Sequence, residues 1–141
     1  MTRTFIAALL AFLVLFPANG LFHAVLAAPF FDAWLQGLGQ AIHPMSASHP
    51  VPVALLDALL ALTTAGYARV LKGGLLKGAI IGATLNLLTA MSWNLANMAT
   101  LSSWPLRVLL LDAPWHTGLG SISGIVAMLV IRDRKKSIAA Q

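Results

Sequence analysis

An all-α integral membrane protein is the fold class this sequence predicts: a bundle of four transmembrane helices, with a short interfacial helix between the first and the second. Three observations predict it. Of 141 residues, 59% are hydrophobic and only 9% are charged, where a soluble domain carries about 25% charged residues. The apolar residues fall into four runs, each close to the roughly 20 residues that cross a bilayer. The basic residues gather at one set of run ends and the tryptophans at the other, as interfacial anchoring requires.

The first span is predicted over about 4–28, a stretch without a formally charged residue. A cleaved signal peptide competes with that reading: Arg3 supplies a basic lead, Phe5 to Phe16 an apolar core, and Val25-Leu26-Ala27 a cleavage site. Apolar character continues past Pro17, which favours a retained helix, bent where proline removes a backbone donor. Residues 29–52 hold Asp32, Trp34, two Gln, His43, His49 and four Pro. They read as an extramembrane loop with the interfacial helix around Phe30 to Gly39, leaving His43 and His49 solvated.

The second span is placed at about 53–70 and contains Asp57. Arg69, Lys72 and Lys77 surround a Gly73-Gly74 turn into the third span, about 78–97. A loop through Ser102, Ser103, Trp104 and Pro105 leads to the fourth, about 112–131, with a helical turn from Leu106 ahead of it. Pro114 is expected near the start of that helix, where its missing donor costs little. A basic tail, 132–141, completes a single membrane domain spanning 1–141. Gly74, Gly78 and Gly82 recur every four residues, as do Gly120 and Gly124. Such stripes let membrane helices approach closely, and packing within the chain is the expected use.

Arg3, Arg69, Lys72, Lys77, Arg132, Arg134, Lys135 and Lys136 fall on one side of these spans and Arg107 on the other. The positive-inside rule then puts both termini in the cytoplasm. The net charge of +5 is thereby read as a membrane-side signal. No interleaved basic and aromatic surface of the kind RNA binding uses is present, so nucleic acid is not an expected partner. The expected partners are the lipid bilayer and other membrane-protein subunits or a second copy of the chain.

With that topology, the polar residues of the spans collect at the outer ends. Asn19 and His23, and Asp112 and His116, are four apart and share helix faces. Asn86, Trp93 and Asn97 are read as another common stripe. Ionisable groups inside a span are tolerated when they face one another or water. A polar cluster of Asn19, His23, Asp57, Asn94, Asn97, Asp112 and His116 is therefore expected within the bundle, with Asp32, Trp104, Arg107 and Trp115 at the outer interface. Arg107 is expected to pair with Asp32 or Asp112, or to attract a lipid headgroup.

The bland role for the cluster is a structural hydrogen-bond network; the sharper one is a site for a small molecule, an ion or a lipid. Imidazole suits Zn, Cu and Fe. With no Cys, no Glu and no His-x-x-x-His pair, however, neither a metal nor a cofactor is assigned. No nucleophile with a base at motif spacing and no phosphate-binding glycine loop is found, so the chain is read as non-enzymatic.

One stretch carries a family resemblance: Asn94-Leu95-Ala96-Asn97-Met98-Ala99-Thr100-Leu101, then Trp104-Pro105, then Asp112-Ala113-Pro114-Trp115. It resembles the bacterial predicted membrane proteins of domain of unknown function two-one-seven-seven. The resemblance implies a four-helix inner-membrane protein of about this length and no stated activity. This chain differs from the family pattern at Trp93-Asn94 and at Pro17-Ala18-Asn19-Gly20, where that family carries acidic residues. The reading that follows is a structural or accessory membrane protein, or a subunit of a larger complex. The alternative is a small binding protein or transporter with an outward-facing polar site.

Overall fold

A computed structural model describes residues 1–35, 50–100 and 104–132, the side chains of 33–35 excepted. All regular structure among these residues is helical: α1 Thr2–Leu21, continued by a π-helical turn Phe22–Leu26, then α2 Ala28–Leu35, α3 Pro50–Leu71, α4 Leu75–Thr100 and α5 Leu106–Ile131. Four helices of 22 to 26 residues are long and apolar enough to cross a membrane, the first counted through its π turn. At 1.5 Å per residue each exceeds the roughly 30 Å hydrocarbon core.

The boundaries differ from the sequence reading in instructive places. The first span is one α-helix to Leu21 and then widens into the π turn, where Ala27 N–H reaches the Phe22 carbonyl. Pro17 and Gly20 lie just ahead of this change; one deletes a ladder donor and the other weakens helix propensity. The short helix between the first two spans begins at Ala28 and is described to Leu35; the expected Gly39 end, His43 and His49 lie outside the described residues. Pro114 is not near a helix start. Because α5 begins at Leu106, Pro114 sits in its third turn and leaves the Leu110 carbonyl without its helical donor.

Both chain ends of the bundle lie at one level. Ala7, Ala8, Ala65, Ala68, Ile81, Ala127 and Met128 pack together there, joining the start of α1 and α4 to the close of α3 and α5. Arg69 at this basic end donates to Thr4 Oγ1 (2.8 Å), and Lys77 Nζ donates to the Leu71 carbonyl (2.8 Å), capping α3. The α3–α4 turn passes through Lys72 and Gly73, both at positive φ; at Gly73 (φ 154°) glycine is the residue that fits. A middle layer holds Ala11, Leu15, Leu60, Ala61 and Leu119. The opposite end closes on Ala27, Phe31 and Val108 with Phe22, Phe30 and Trp104 around them.

Three seams hold the helices, α4 on α5, α1 on α3 and α1 on α5, and the first two are built on small residues. α4 and α5 form the most extensive one, with Gly78 and Gly82 against Gly120 and Gly124. A Cβ on Gly82 would overlap the Gly120 carbonyl, and one on Gly120 the Gly82 carbonyl. Gly74, at the foot of the expected stripe, meets nothing and belongs to the turn. The second seam, α1 on α3, is lined by buried alanines: Ala7, Ala8 and Ala11 face Ala61, Ala65 and Ala68. Alanine serves the same close approach as glycine at membrane helix interfaces.

Candidate functional site

Between the middle layer and the aromatic end, the polar side chains of four helices meet. α1 supplies Asn19. Its amide donates to Asp57 Oδ1 on α3 (2.9 Å), and its carbonyl oxygen accepts the Trp115 indole N–H from α5 (3.0 Å). One turn on, His23 places Nδ1 3.1 Å from the Asn19 backbone carbonyl and Nε2 3.2 Å from Asp112 Oδ1. The carbonyl can only accept, so Nδ1 carries a proton, and the Nε2–Asp112 contact is a hydrogen bond when that pair holds a second proton, on the imidazole or on the carboxyl. On α4, Asn94 uses both amide hydrogens, one to the Ala90 carbonyl and one to Asp112 Oδ2, each 3.0 Å. Its own side-chain oxygen accepts from Trp104 Nε1 (3.0 Å).

A continuous chain of contacts therefore runs Asp57–Asn19–His23–Asp112–Asn94–Trp104, joining α3, α1, α5, α4 and the residue before Pro105. Four of its members are buried and His23 and Trp104 partly so. Asp57 is 1%, Asn19 4%, Asn94 0% and Asp112 6% exposed, so the polar groups meet each other in a low-dielectric interior where pairing is strong and orphaning costly. Aromatic rings wall the site: Phe22 stacks on Trp115 at 4.2 Å, and His23 lies 5.7 Å from both Phe31 and His116.

The seven cluster residues expected from the sequence do not share one fate. Asn19, His23, Asp57, Asn94 and Asp112 are joined by hydrogen bonds. His116 lies beside His23, with its Nδ1 buried and without a hydrogen-bond partner. Asn97 is not in the cluster; it donates to the Trp93 carbonyl of its own helix (3.0 Å). The stripe of Asn86, Trp93 and Asn97 is likewise corrected. The buried row of α4 is Gly78, Gly82, Asn86, Ala90 and Asn94, while Trp93 is 63% exposed. Contact with α5 follows the four-residue row set by the glycines, and that row advances about 40° per step around the helix. At the far end it has moved from the face of Trp93 to that of Asn94.

Of the residues assigned to the outer interface, Trp104 and Trp115 donate their indole N–H groups into the network. Arg107 holds its guanidinium 5.0 Å from the centre of the Phe30 ring, a cation–π contact. Asp32 also has an interaction within the fold. Sequence reading passed over the tryptophan indoles because belt tryptophans are so common, although Trp115 stands within four residues of Asp112. Neither the buried Thr64 nor Asn86, which the sequence placed on a stripe but outside the cluster, has a partner for its Oγ1 or Oδ1.

Chemically, the cluster offers two carboxylates and two imidazoles. A ring nitrogen of His23, a carboxylate oxygen of Asp112 and a ring nitrogen of His116 all lie within 4.8 Å of one another, a donor set able to hold a metal ion. A shallow hollow of about 300 Å³ lies at the other end of the bundle, lined by Met1, Thr2, Arg3, Thr4, Arg69 and Ile131.

A family model described as "Predicted membrane protein (DUF2177)" matches residues 4–129 and so takes in all four spans. Comparison with curated proteins and with solved structures gives no match.

Proposed function

The chain belongs to the DUF2177 family of predicted membrane proteins, and on that footing we propose a structural or accessory role, as a subunit beside other proteins of the bacterial inner membrane. The observation that carries this reading is the commitment of the span polar groups to one another. Asp57, Asn19, His23, Asp112, Asn94 and Trp104 are tied in one hydrogen-bonded chain rather than presented along a passage. The inner half supports the same reading: it buries Thr64, Asn86 and Ser123 but no ionisable group among the described residues, whereas a transporter needs access from both sides.

Association with other helices is supported by the outward faces. Only 22% to 33% of each span's apolar window is buried inside the chain. α4 contributes Leu76, Ile80, Leu88 and Trp93 to that outer surface. Both termini are on the cytoplasmic side in this reading, supported by Arg3, Arg69, Lys72, Lys77 and Arg132 at the basic end.

Two measurements test the proposal. The chain has no cysteine, so Thr100→Cys and Lys72→Cys report sidedness with an impermeant maleimide. Thr100→Cys should label in intact cells and Lys72→Cys only after permeabilisation; the reverse pattern overturns the orientation. Crosslinking in native membranes followed by native mass spectrometry should return the chain within a larger assembly. Recovery of the single chain alone overturns the accessory role.

A further inference from the structure

We infer that His23, Asp112 and His116 form a binding site for one divalent transition-metal ion of the zinc class, between α1 and α5 at the tryptophan end of the bundle. This goes beyond the accessory role and rests on a separate observation, the convergence of three donors of which the network leaves one, His116, unused.

The donor set comes first. Two imidazoles and a carboxylate suit Zn²⁺ and its first-row neighbours; Ca²⁺ and Mg²⁺ prefer all-oxygen shells, and Cu(I) prefers thiolate or thioether. Around a tetrahedral ion with bonds of about 2.0–2.2 Å, ligand atoms stand about 3.4 Å apart. His23 Nε2 and Asp112 Oδ1 are already 3.2 Å apart. All three donors lie within 4.8 Å, so side-chain adjustment of roughly an ångström completes the triangle. Three protein ligands leave a fourth position of the ion open, the arrangement that admits water or another small ligand.

The surroundings are those a ligand shell needs. Metal-bound histidine typically donates its other ring N–H to a carbonyl or carboxylate, which fixes tautomer and aim. His23 Nδ1 is on the Asn19 carbonyl, which aims Nε2 at Asp112 Oδ1, and an ion between those two atoms would take the place of their direct contact. Asp112 is held through its second oxygen by Asn94, leaving Oδ1 toward the histidines. His116 is the decisive member. Its Nδ1 is buried and lacks a hydrogen-bond partner, so the hydrogen-bond chain does not account for this histidine, whereas an ion does. The Asp112 carboxylate supplies one negative charge against the cation within the bundle.

Full-length protein in lipid nanodiscs, stripped with chelator and titrated with Zn²⁺, tests the site. One ion per chain is expected, and His116→Ala should weaken binding by about tenfold or more. The metal-free His116→Ala variant loses ring packing beside His23 and should melt slightly below the metal-free parent, still in one cooperative transition. Asn97→Ala, which lies off the cluster, should bind as the parent does. Co²⁺ in the parent should give d–d absorption characteristic of nitrogen and oxygen ligands, a readout that needs no variant. Failure of the parent to bind Zn²⁺, equal affinity in His116→Ala, or preference for Mg²⁺ over Zn²⁺ would overturn the inference.

Discussion

The two halves of the bundle are held by opposite means. Toward the basic end, α4 and α5 approach so closely that Gly82 and Gly120 leave no room for a methyl group on either backbone. Toward the tryptophan end, the helices are joined by side chains that reach across, through Asn19, His23, Asp57, Asn94 and Asp112. Neither half gains stability from apolar burial as a soluble core does, because lipid is as apolar as leucine. The glycine seam relies on contact and is therefore intolerant of volume. The polar half relies on directed bonds of about 0.6 kcal/mol each, at most about 1.7, and is therefore tolerant of shape but not of orphaned partners. A bundle built this way concentrates chemistry in one half and rigidity in the other.

The comparison breaks most sharply at the glycines. Gly82→Val should cost more than about 3 kcal/mol, since the obstacle is the Gly120 carbonyl, which no rotamer change removes. Gly118, two residues from Gly120 on the same helix, has open space where a methyl group would stand, with nothing within 4 Å. Gly118→Ala should therefore leave the SDS or thermal unfolding midpoint unchanged or slightly raised. Equal losses at positions 82 and 118 would mean that helix propensity, and not close approach, decides the seam.

Next in size is Asp112→Leu. It strands His23 Nε2 and Asn94 Nδ2 together, and about 2 kcal/mol of destabilisation is expected from two lost bonds and two orphaned groups. Asp112→Asn keeps one acceptor and should lose about half as much. Trp115→Phe removes the bond to Asn19 but preserves a ring against Phe22. A loss of about 0.6–1 kcal/mol is expected. A larger loss for Trp115→Phe than for Asp112→Leu would move the centre of the network from α5–α4 to α1–α5.

How much of this was legible in the sequence depends on the range of the signal. Span positions follow from local hydropathy, and the ends moved by a few residues: 53–70 became Pro50–Leu71 and 78–97 became Leu75–Thr100. Pairing across 89 residues, as between His23 and Asp112, has no local signature. Only the cost of buried charge indicated that such groups meet. The alanine seam of α1 and α3 was invisible because alanine is abundant throughout the chain, whereas glycine at a strict four-residue spacing stands out. Pro114 was misplaced for a different reason. The span was started at Asp112 with a helical turn from Leu106 ahead of it, yet Asp112 is buried against Asn94 and His23, and α5 runs unbroken from Leu106 through it.

The smallest effect is the most discriminating, because it separates two asparagines three residues apart. Asn94 points along the buried row of α4 and makes bonds to Ala90, Asp112 and Trp104. Asn97 bonds to the Trp93 carbonyl of its own helix and reaches no other helix among the described residues. Asn94→Ala should cost about 1–2 kcal/mol, with the Asp112 and Trp104 partners left unpaired. Asn97→Ala should lie within about 0.5 kcal/mol of the parent, as surface substitutions do, and alanine's helix propensity offsets part of even that. Unfolding midpoints of the two variants in one lipid mixture measure the difference directly. If Asn97→Ala is the more damaging, the contact row of α4 runs straight along the helix instead of advancing about 40° at each four-residue step, and the register of the whole polar half changes with it.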